Sequence, residues 1–186
     1  FKNKNVMITG HTGFKGSWLT AWLHMLGANI TAVSKDVPTI PAHYDLLKSF
    51  IQNDITADIT KYSQIHTIIK DCKPNYIFHL AAQPIVLTSY EDPYLTFQSN
   101  SIGTLNLLEA LKELKSRKKC SVVIITSDKS YKNLEIKRGY KEEDLIGGVD
   151  PYGASKSSAE IAIKSYVKSF FSSQKSNVSI AVARAG

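Results

Sequence analysis

One short stretch, residues 10–16 (G-H-T-G-F-K-G), constrains the fold of this chain more than any other. An apolar run, Val6-Met7-Ile8, precedes it, and an amphipathic segment from Ser17 to Leu26 follows it. The local order is therefore strand, glycine turn and helix. Glycines at these three positions permit a sharp exit from the strand, close approach of the backbone to a pyrophosphate, and tight packing of the helix on the sheet. Because the N-terminus of a helix attracts phosphate, the stretch predicts a dinucleotide-binding turn.

The composition sets limits on the class of protein. The chain has 186 residues, which is most simply one domain. No apolar run is long enough for a transmembrane helix, so we expect no membrane association. The net charge is +7, but the basic residues are spread out and no nucleic-acid-binding motif accompanies them, so we expect no nucleic-acid partner. The densest basic run, Lys112 to Lys119, is expected to end a helix.

The two cysteines indicate a cellular compartment rather than a metal site. Cys72 and Cys120 are far apart and lack metal-ligand spacing. Free, buried thiols in a reducing compartment are the simplest interpretation, which predicts a cytoplasmic protein without a metal centre.

Apolar runs and helical patterns alternate along the chain. After the first strand, Asn5 to Thr9, the pattern predicts five more strands: Ile30–Val33, Ser49–Gln52 (ending at Asp54-Ile55), Tyr76–Leu80, Ser121–Thr126 and Val178–Arg184. Helices are predicted from the glycine turn to Leu26, from a cap at Asp58 or Thr60 to Asp71, from Tyr94 to Lys115, and from Pro151 to Phe171. This alternation predicts an α/β, doubly wound parallel sheet (Rossmann fold) in three αβα layers.

The tips of the second and third strands are expected to hold the adenosine. Ser34 and Lys35 follow the second strand, and Asp36 lies about 20 residues past the last glycine, the usual offset for a ribose-binding acid. Asp36 is equally consistent with a solvated loop, and Lys35 suits a ribose 2′-phosphate, so these residues leave NAD and NADP open. Asp54 ends the third strand and suits the adenine amino group; the alternative is a turn aspartate.

The fourth strand opens into small residues. The stretch Ala81-Ala82-Gln83-Pro84 would let a flat cofactor lie against backbone, whereas His79, inside the strand, is expected to be a satisfied core histidine. The predicted cofactor-binding residues are Gly10, His11, Gly13, Phe14, Lys15, Gly16, Ser34, Asp54, Ile55, Leu80, Ala81, Ala82, Gln83, Asn100, Thr126, Tyr152 and Lys156.

A tyrosine and a lysine four residues apart carry the candidate chemistry. Tyr152 and Lys156 lie on one face of a predicted helix. A phenol has a pKa near 10, and we expect the nearby ammonium to lower that pKa so that the phenol can act as a base. Ser127 ends a neighbouring strand at the same crevice, where it can hydrogen-bond a substrate hydroxyl. The set suits removal of a proton from an alcohol while hydride leaves for a nicotinamide.

At these residues the chain resembles the extended short-chain dehydrogenase/reductase family. Residues 9–16 look like its T-G-x-x-G-x-x-G motif, and Tyr152 with Lys156 resembles its catalytic pair. The phrases I-T-G-H-T-G-F-K-G-S-W-L, F-H-L-A-A-Q-P, T-S-D-K-S-Y, D-P-Y-G-A-S-K and A-R-A-G narrow the match to the CDP-glucose 4,6-dehydratases, over essentially the whole chain.

The resemblance implies a reaction in three stages. NAD oxidises the C4 hydroxyl of the sugar, with Tyr152 as base assisted by Ser127 and Lys156; water then leaves from C5 and C6, and the hydride returns to C6. Asp128 matches the acid that protonates the departing hydroxyl. Lys129 stands where related dTDP-glucose dehydratases carry glutamate, and it would act as the base or hold the substrate. A loop Asp–Lys ion pair is the alternative for these two residues.

The resemblance also implies a domain organisation and an oligomeric state. Residues 1–186 are expected to form the NAD(P)-binding domain, without the last strands and the C-terminal domain that holds the nucleotide-sugar substrate, CDP-glucose. The predicted helices at Tyr94–Lys115 and Tyr152–Phe171 resemble those of a family interface, so a homodimer or homotetramer is expected. The alternatives are a dTDP-glucose 4,6-dehydratase, a nucleotide-sugar 4-epimerase, and a non-catalytic dinucleotide sensor.

Overall fold

A six-stranded parallel sheet forms the centre of the structure, a computed structural model that describes residues 1–114, 119–173 and 176–186. The strand order is β3-β2-β1-β4-β5-β6, and every neighbouring pair is parallel. This confirms the predicted doubly wound, Rossmann-type fold. The strands are β1 (Asn5–Thr9), β2 (Asn29–Ser34), β3 (Asn53–Thr56), β4 (Tyr76–His79), β5 (Cys120–Ser127) and β6 (Val178–Ala185).

Helices cover both faces of the sheet. They are α1 (Phe14–Met25), α2 (Tyr62–Cys72), α3 (Val86–Glu91), α4 (Pro93–Phe97), α5 (Gly103–Lys112) and α6 (Pro151–Tyr166). A π-helical segment, Gln98–Ile102, joins α4 to α5, and another, Val167–Phe171, extends α6. None of the helices in the described ranges is long and apolar enough to cross a membrane.

Alternate residues of β1 supply the two cores. Met7 points into the core packed by α2, α5 and α6, whereas Val6 and Ile8 point into the core packed by α1. All three side chains are at most 1% exposed. A strand buried on both faces is the environment that a continuous apolar run favours in a parallel sheet.

The order of the strands determines where a ligand crevice opens. The chain runs outward in one direction from β1 to β3 and in the other from β4 to β6, so the topological switch lies between β1 and β4. In open α/β sheets, ligands bind outside the carboxyl ends of the strands at this switch. The glycine turn follows β1, and the Leu80–Gln83 segment follows β4.

The third strand lies later in the chain than the sequence pattern predicts. The pattern predicts a strand at residues 49–52, but Lys48–Phe50 forms a 3₁₀ turn and β3 begins at Asn53. Phe50 stacks on His24 of α1, with ring centres 4.6 Å apart, instead of entering the sheet. The predicted caps of α2 are also wrong. Lys61 occupies the N-cap position, and Asp58 accepts a hydrogen bond from the Thr60 amide before the helix begins.

The apolar residues at the start of the chain's first helix recur at helical spacing, which predicts a core face made of Trp18, Leu19, Trp22, Leu23 and Leu26, but the structure buries only part of this set. Trp18 and Trp22 are 57% and 64% exposed, and Leu26 is exposed as well, whereas Leu23 is buried. The face toward the sheet carries small residues, Gly16 and Thr20, because the glycine turn brings the helix close to the backbone. The bulky indoles therefore lie outside the core, and Trp18 stacks on His43 at 4.4 Å.

The long helix predicted from Tyr94 is interrupted by the π-helical segment between α4 and α5. Helical spacing predicts one apolar face for Leu105, Leu108, Leu111 and Leu114. Leu108 and Leu111 are fully buried, and Leu105 and Leu114 are half-buried. The predicted end at Lys115 lies outside the described residues, as does the middle of the basic run 112–119.

Candidate active site

The glycine turn lies directly against the start of the segment after β4. Gly10 has φ +78°, and a Cβ there would stand 2.6 Å from the Ala81 amide nitrogen. A Cβ at Gly16 would stand only 2.0 Å from the Gly10 carbonyl oxygen. By contrast, a Cβ at Gly13 would meet only that carbonyl, at 3.4 Å, so the space above Gly13 is open.

The start of α1 suits an anion. Gly13 is the N-cap residue and no side chain caps the helix, which leaves its first amides for another acceptor. Lys15 is exposed beside this end, and its charge contributes to lowering the pKa of Lys156 across the crevice. Phe14 is 78% exposed. An open backbone above Gly13, uncapped helix amides and the exposed Lys15 together fit a pyrophosphate.

His11 joins the turn to the tips of β2 and β3. Its Nδ1 lies 2.9 Å from the Ser34 hydroxyl, and its Nε2 lies 3.1 Å from Oδ1 of Asp54. The Tyr44 hydroxyl donates to the other Asp54 oxygen at 2.5 Å. Burial lowers the pKa of His11 although Asp54 opposes this, so the imidazole is neutral. Ser34 and Asp54, predicted to face the adenosine, therefore both contact His11: Ser34 through a hydrogen bond and Asp54 through the close approach of its charged carboxylate.

The contacts of the other residues near the predicted adenosine site give weaker support for adenosine binding. Asp36 accepts a hydrogen bond from Thr12 through its carbonyl group, and Lys35 is exposed, 4.0 Å from Asp58. Ile55 is half-buried. Tyr44 is the residue that sequence reasoning missed here, because residues 37–48 carry only loop signals and its contact with Asp54 is a tertiary one.

Asn100 fixes the segment that follows β4. Its side-chain oxygen accepts from the Gln83 amide at 2.8 Å, and its side-chain nitrogen donates to the Gln83 carbonyl and to Ser155. Both amide hydrogens are thus used inside the protein. The π-helical segment that contains Asn100 turns this side chain toward β4. Leu80, Ala81 and Ala82 are half-buried beside it, in reach of the crevice.

His79 is a satisfied core histidine, as expected. Thr104 donates its hydroxyl hydrogen to the Asn100 carbonyl, so it accepts from Nε2 of His79 at 3.3 Å. The Thr9 hydroxyl then donates to Nδ1 at 2.7 Å and accepts from the Ala81 amide at 3.2 Å. Burial, with a smaller contribution from the positive Lys156, lowers the pKa of His79 to about 3. This neutral ring ties β1 and β4 together beneath the crevice.

Helix α6 carries the tyrosine–lysine pair into the crevice. Asp150 caps the helix by accepting from the Gly153 amide at 3.0 Å, and Pro151 is its first residue. Tyr152 and Lys156 follow one turn apart, 8% and 6% exposed. Burial, with a smaller contribution from the charge of Lys15, lowers the pKa of Lys156 to about 8.

The expected lowering of the Tyr152 pKa is not found. Burial raises this pKa, a hydrogen bond with Ser127 opposes the rise, and Asp128 adds to it. The Lys156 ammonium lies 6.0 Å from the centre of the tyrosine ring, and a buried lysine does not offset the loss of water around the phenol. Tyr152 is therefore a protonated phenol in this structure.

A 3₁₀ turn, Asp128–Ser130, follows β5 and faces an open cavity. The Ser127 hydroxyl donates to Asp128 at 3.0 Å and accepts from the Lys129 amide. Asp128 and Lys129 are exposed and line a cavity of about 1070 Å³ together with Asp150 and Arg184. Across the described ranges, no ion pair joins Asp128 to Lys129, so both charged groups are available to a ligand.

Fold and crevice together define a Rossmann-type domain with a tyrosine–lysine–serine set at its switch point. The sequence model of the GDP-mannose 4,6 dehydratase family matches residues 7–177. The chain belongs to this family.

Individual relatives agree with this assignment. The chain is 40% identical to CDP-glucose 4,6-dehydratase of Salmonella typhimurium (strain LT2) over 100% of this chain and 52% of the relative. It is 28% identical to a GDP-mannose 4,6-dehydratase of Vibrio cholerae over 90% of this chain and 46% of the relative. The chain thus spans about half the length of the curated relatives it matches.

Solved structures show the same fold. A UDP-glucose 4-epimerase from Thermotoga maritima, with UDP-glucose, matches with a TM-score of 0.81 and 23% identity, covering 97% of this chain and 54% of that one. A UDP-glucose 4-epimerase from Thermus thermophilus, in complex with NAD, matches with a TM-score of 0.77 and 23% identity, covering 96% and 54%.

Proposed function

We propose that this chain is the NAD-binding, catalytic half of a nucleotide-sugar 4,6-dehydratase that converts CDP-glucose to CDP-4-keto-6-deoxyglucose. The 40% identity to the Salmonella CDP-glucose 4,6-dehydratase over the whole chain carries the proposal. The arrangement of Ser127, Tyr152 and Lys156 at one crevice supports it. Recognition of the nucleotide would belong to the C-terminal part of the full-length protein, since the relatives are about twice as long.

NAD is the proposed cofactor, held by the glycine turn, the amides at the start of α1 and the segment after β4. When bound, it would accept a hydride from the sugar and later return it, so that it is regenerated in each cycle. Three features support this choice: the Thermus epimerase was solved with NAD, the space above Gly13 is open, and Lys15 stands beside the helix start. The tip of β2 carries Ser34 in place of an acidic residue. We therefore propose that His11 and Asp54, which lie beside Ser34, take part in holding the adenosine side.

The proposed roles of the catalytic residues follow from their surroundings. Tyr152, whose pKa is raised by burial, is the base that removes the C4 hydroxyl proton as the hydride leaves C4. Ser127 hydrogen-bonds the same hydroxyl, and the Lys156 ammonium stabilises the charge that develops on the phenol. Asp128 protonates the hydroxyl leaving C6.

Lys129 is proposed to act on the C5 proton or on the enolate that its removal forms. The side chain is exposed at the cavity rather than paired with Asp128. An exposed ammonium there can stabilise negative charge next to the C4 ketone.

The decisive experiment is to incubate the full-length protein with CDP-glucose, dTDP-glucose and UDP-glucose in turn, with NAD. A 4-keto-6-deoxy product from CDP-glucose alone supports the proposal. Inversion of the sugar at C4 without loss of water would instead indicate an epimerase, and NAD binding without any turnover would indicate a sensor.

Lys129→Met tests the elimination step. We expect unchanged NAD binding and at least about 100-fold slower exchange of the C5 proton with solvent, in the range that a positioned acid–base group contributes. Lys132→Met, which removes a nearby exposed lysine, is the control and is expected to exchange at the parent rate. Parent-like exchange in Lys129→Met would remove Lys129 from the mechanism.

A cytoplasmic homodimer or homotetramer completes the proposal. Both cysteines are free, in keeping with a reducing compartment. Exposed apolar side chains on α4 and α6, such as Leu95 and Ile161, support an interface there. Sedimentation of the full-length protein would give its oligomeric state directly.

A further inference from the structure

A buried carboxylate, Glu160, lies one turn beyond Lys156 on α6 and has no place in the chemistry described above. Its side chain is 5% exposed. One oxygen accepts from the Thr126 hydroxyl at 2.7 Å, and Arg184 donates to both oxygens, at 2.6 Å from Nη2 to Oε2. We call Thr126, Ser130, Glu160 and Arg184 the Glu160 cluster.

The cluster reaches the backbone of the turn that follows β5. The Ser130 hydroxyl lies 2.6 Å from the Ser127 carbonyl oxygen and 3.0 Å from Oε1 of Glu160, so its one proton is available to both. The hydroxyl of Ser157, also on α6, lies 2.9 Å from the Ser130 carbonyl oxygen and 2.8 Å from the Gly153 carbonyl oxygen, so its one proton is shared between them. The turn is therefore held to α6 at both its hydroxyl and its backbone.

Arg184 extends the same connection to the far side of the cavity. Its register partner in the sheet is Thr126, at the end of β5. The guanidinium donates to the Glu142 carbonyl at 3.1 Å and lies 4.5 Å from the centre of the Tyr131 ring. Glu160 thus links α6, β5, β6 and the loop at Glu142 that lines the cavity.

The surroundings of Glu160 favour its charged form. Burial raises its pKa, but hydrogen bonds from Arg184, Thr126 and Ser130 outweigh burial and hold the pKa below its ordinary value. A buried ion pair of this kind seldom adds net stability over an apolar replacement, yet its directional bonds define one geometry. In this protein those bonds define the geometry of the turn Asp128–Ser130, which carries two of the proposed catalytic residues.

We infer that Glu160 is a positioning residue that fixes, chiefly through Ser130, the turn bearing Ser127 against α6. The inference rests on the proposed function for its effect on catalysis. Spacing gives the geometric reason: Tyr152, Lys156 and Glu160 follow one another at intervals of four on one helix face. The helix that presents the base therefore also anchors the turn whose serine must meet the same substrate hydroxyl.

Two variants of the full-length protein test the inference, with CDP-glucose and NAD as the probe. Ser130→Ala removes the link and leaves the ion pair intact, whereas Glu160→Gln removes the charge. Ser89→Ala is the matched control. Ser89 is equally buried, at 0% exposure, and its hydroxyl also bonds the carbonyl three residues earlier at 2.6 Å, but it lies on α3.

We expect kcat to fall about 10- to 100-fold in Ser130→Ala and Glu160→Gln, because a displaced reacting group costs that much. KM and NAD affinity should stay within about twofold, since neither residue faces the ligand. The double variant should lose little more than the worse single variant, as both act through one connection. Ser89→Ala should match the parent.

Amide hydrogen exchange of residues 127–131 gives a readout that does not depend on activity. Faster exchange there in both variants, and not in Ser89→Ala, supports the inference even if the parent protein turns over no nucleotide sugar, in which case only the proposed function fails. Parent-like kcat, an effect confined to KM or NAD binding, or unchanged exchange in these residues would overturn the inference.

Discussion

Replacing Gly16 by alanine tests whether the close contact between the glycine turn and α1 holds this part of the fold together. Gly16 lies in the first turn of α1 with ordinary helical backbone, so alanine meets no conformational strain there. The added Cβ would stand 2.0 Å from the Gly10 carbonyl oxygen and 2.9 Å from the His11 Cα. Both are backbone atoms, so α1 or the turn must move.

The magnitude follows from two opposing effects. Alanine in place of glycine inside a helix gains about 1 kcal/mol. Overpacking against backbone that cannot move aside costs about 3 kcal/mol. The free energy of unfolding should therefore fall by about 2 kcal/mol, which for a domain of this size lowers Tm by roughly 4–8 °C.

Gly13→Ala is the matched control, because its Cβ would meet only the Gly10 carbonyl, at 3.4 Å, and its backbone is extended. Thermal unfolding should leave this variant near the parent, while titration with NAD should show weaker binding, since the methyl group stands where the pyrophosphate is proposed to lie. A Gly16→Ala protein as stable as the parent would refute the steric argument. Undiminished NAD affinity in Gly13→Ala would refute the proposed pyrophosphate position.

Two further predictions concern buried titrating groups. Lys156 has a pKa of about 8 when folded and 10.5 when unfolded, so its burial penalty is present below pH 8 and relieved as the pH rises to 10.5. At pH 7 the free energy of unfolding of Lys156→Met should therefore exceed that of the parent by about 3 kcal/mol. Denaturant titrations should show this difference shrinking by pH 10. His79 has a pKa of about 3 when folded, so the parent loses stability as the pH falls below 6.5. This loss, about 1.4 kcal/mol per pH unit, should be absent in His79→Gln, and equal slopes would contradict the neutral buried ring.

Much of the fold was predictable because its signals are local. The strand, turn and helix around Gly10–Gly16 follow from glycine spacing and apolar periodicity, and the structure places β1 at the predicted residues. The start of α6 at Pro151 follows from an Asp-Pro cap. The strand alternation that fixes the doubly wound sheet is read from the same short-range patterns.

Elements that depend on distant partners were predicted poorly. The register of β3 is fixed by pairing Thr31 with Asn53, not by the apolar character of residues 49–52. The indoles of Trp18 and Trp22 have the spacing of a core face, but the close approach of α1 to the sheet leaves no room beneath them. Periodicity reports which residues share a face and not which face the sheet covers.

The sequence by itself determined the class of fold, the glycine turn and the four-residue spacing of Tyr152 and Lys156, because each depends on backbone geometry over a few residues. Only the tertiary structure decided the electrostatics of the crevice. The pKa of Tyr152 rises, and Glu160 meets Arg184 across 24 residues of chain, because burial and hydrogen bonding arise from segments that only the folded sheet brings together.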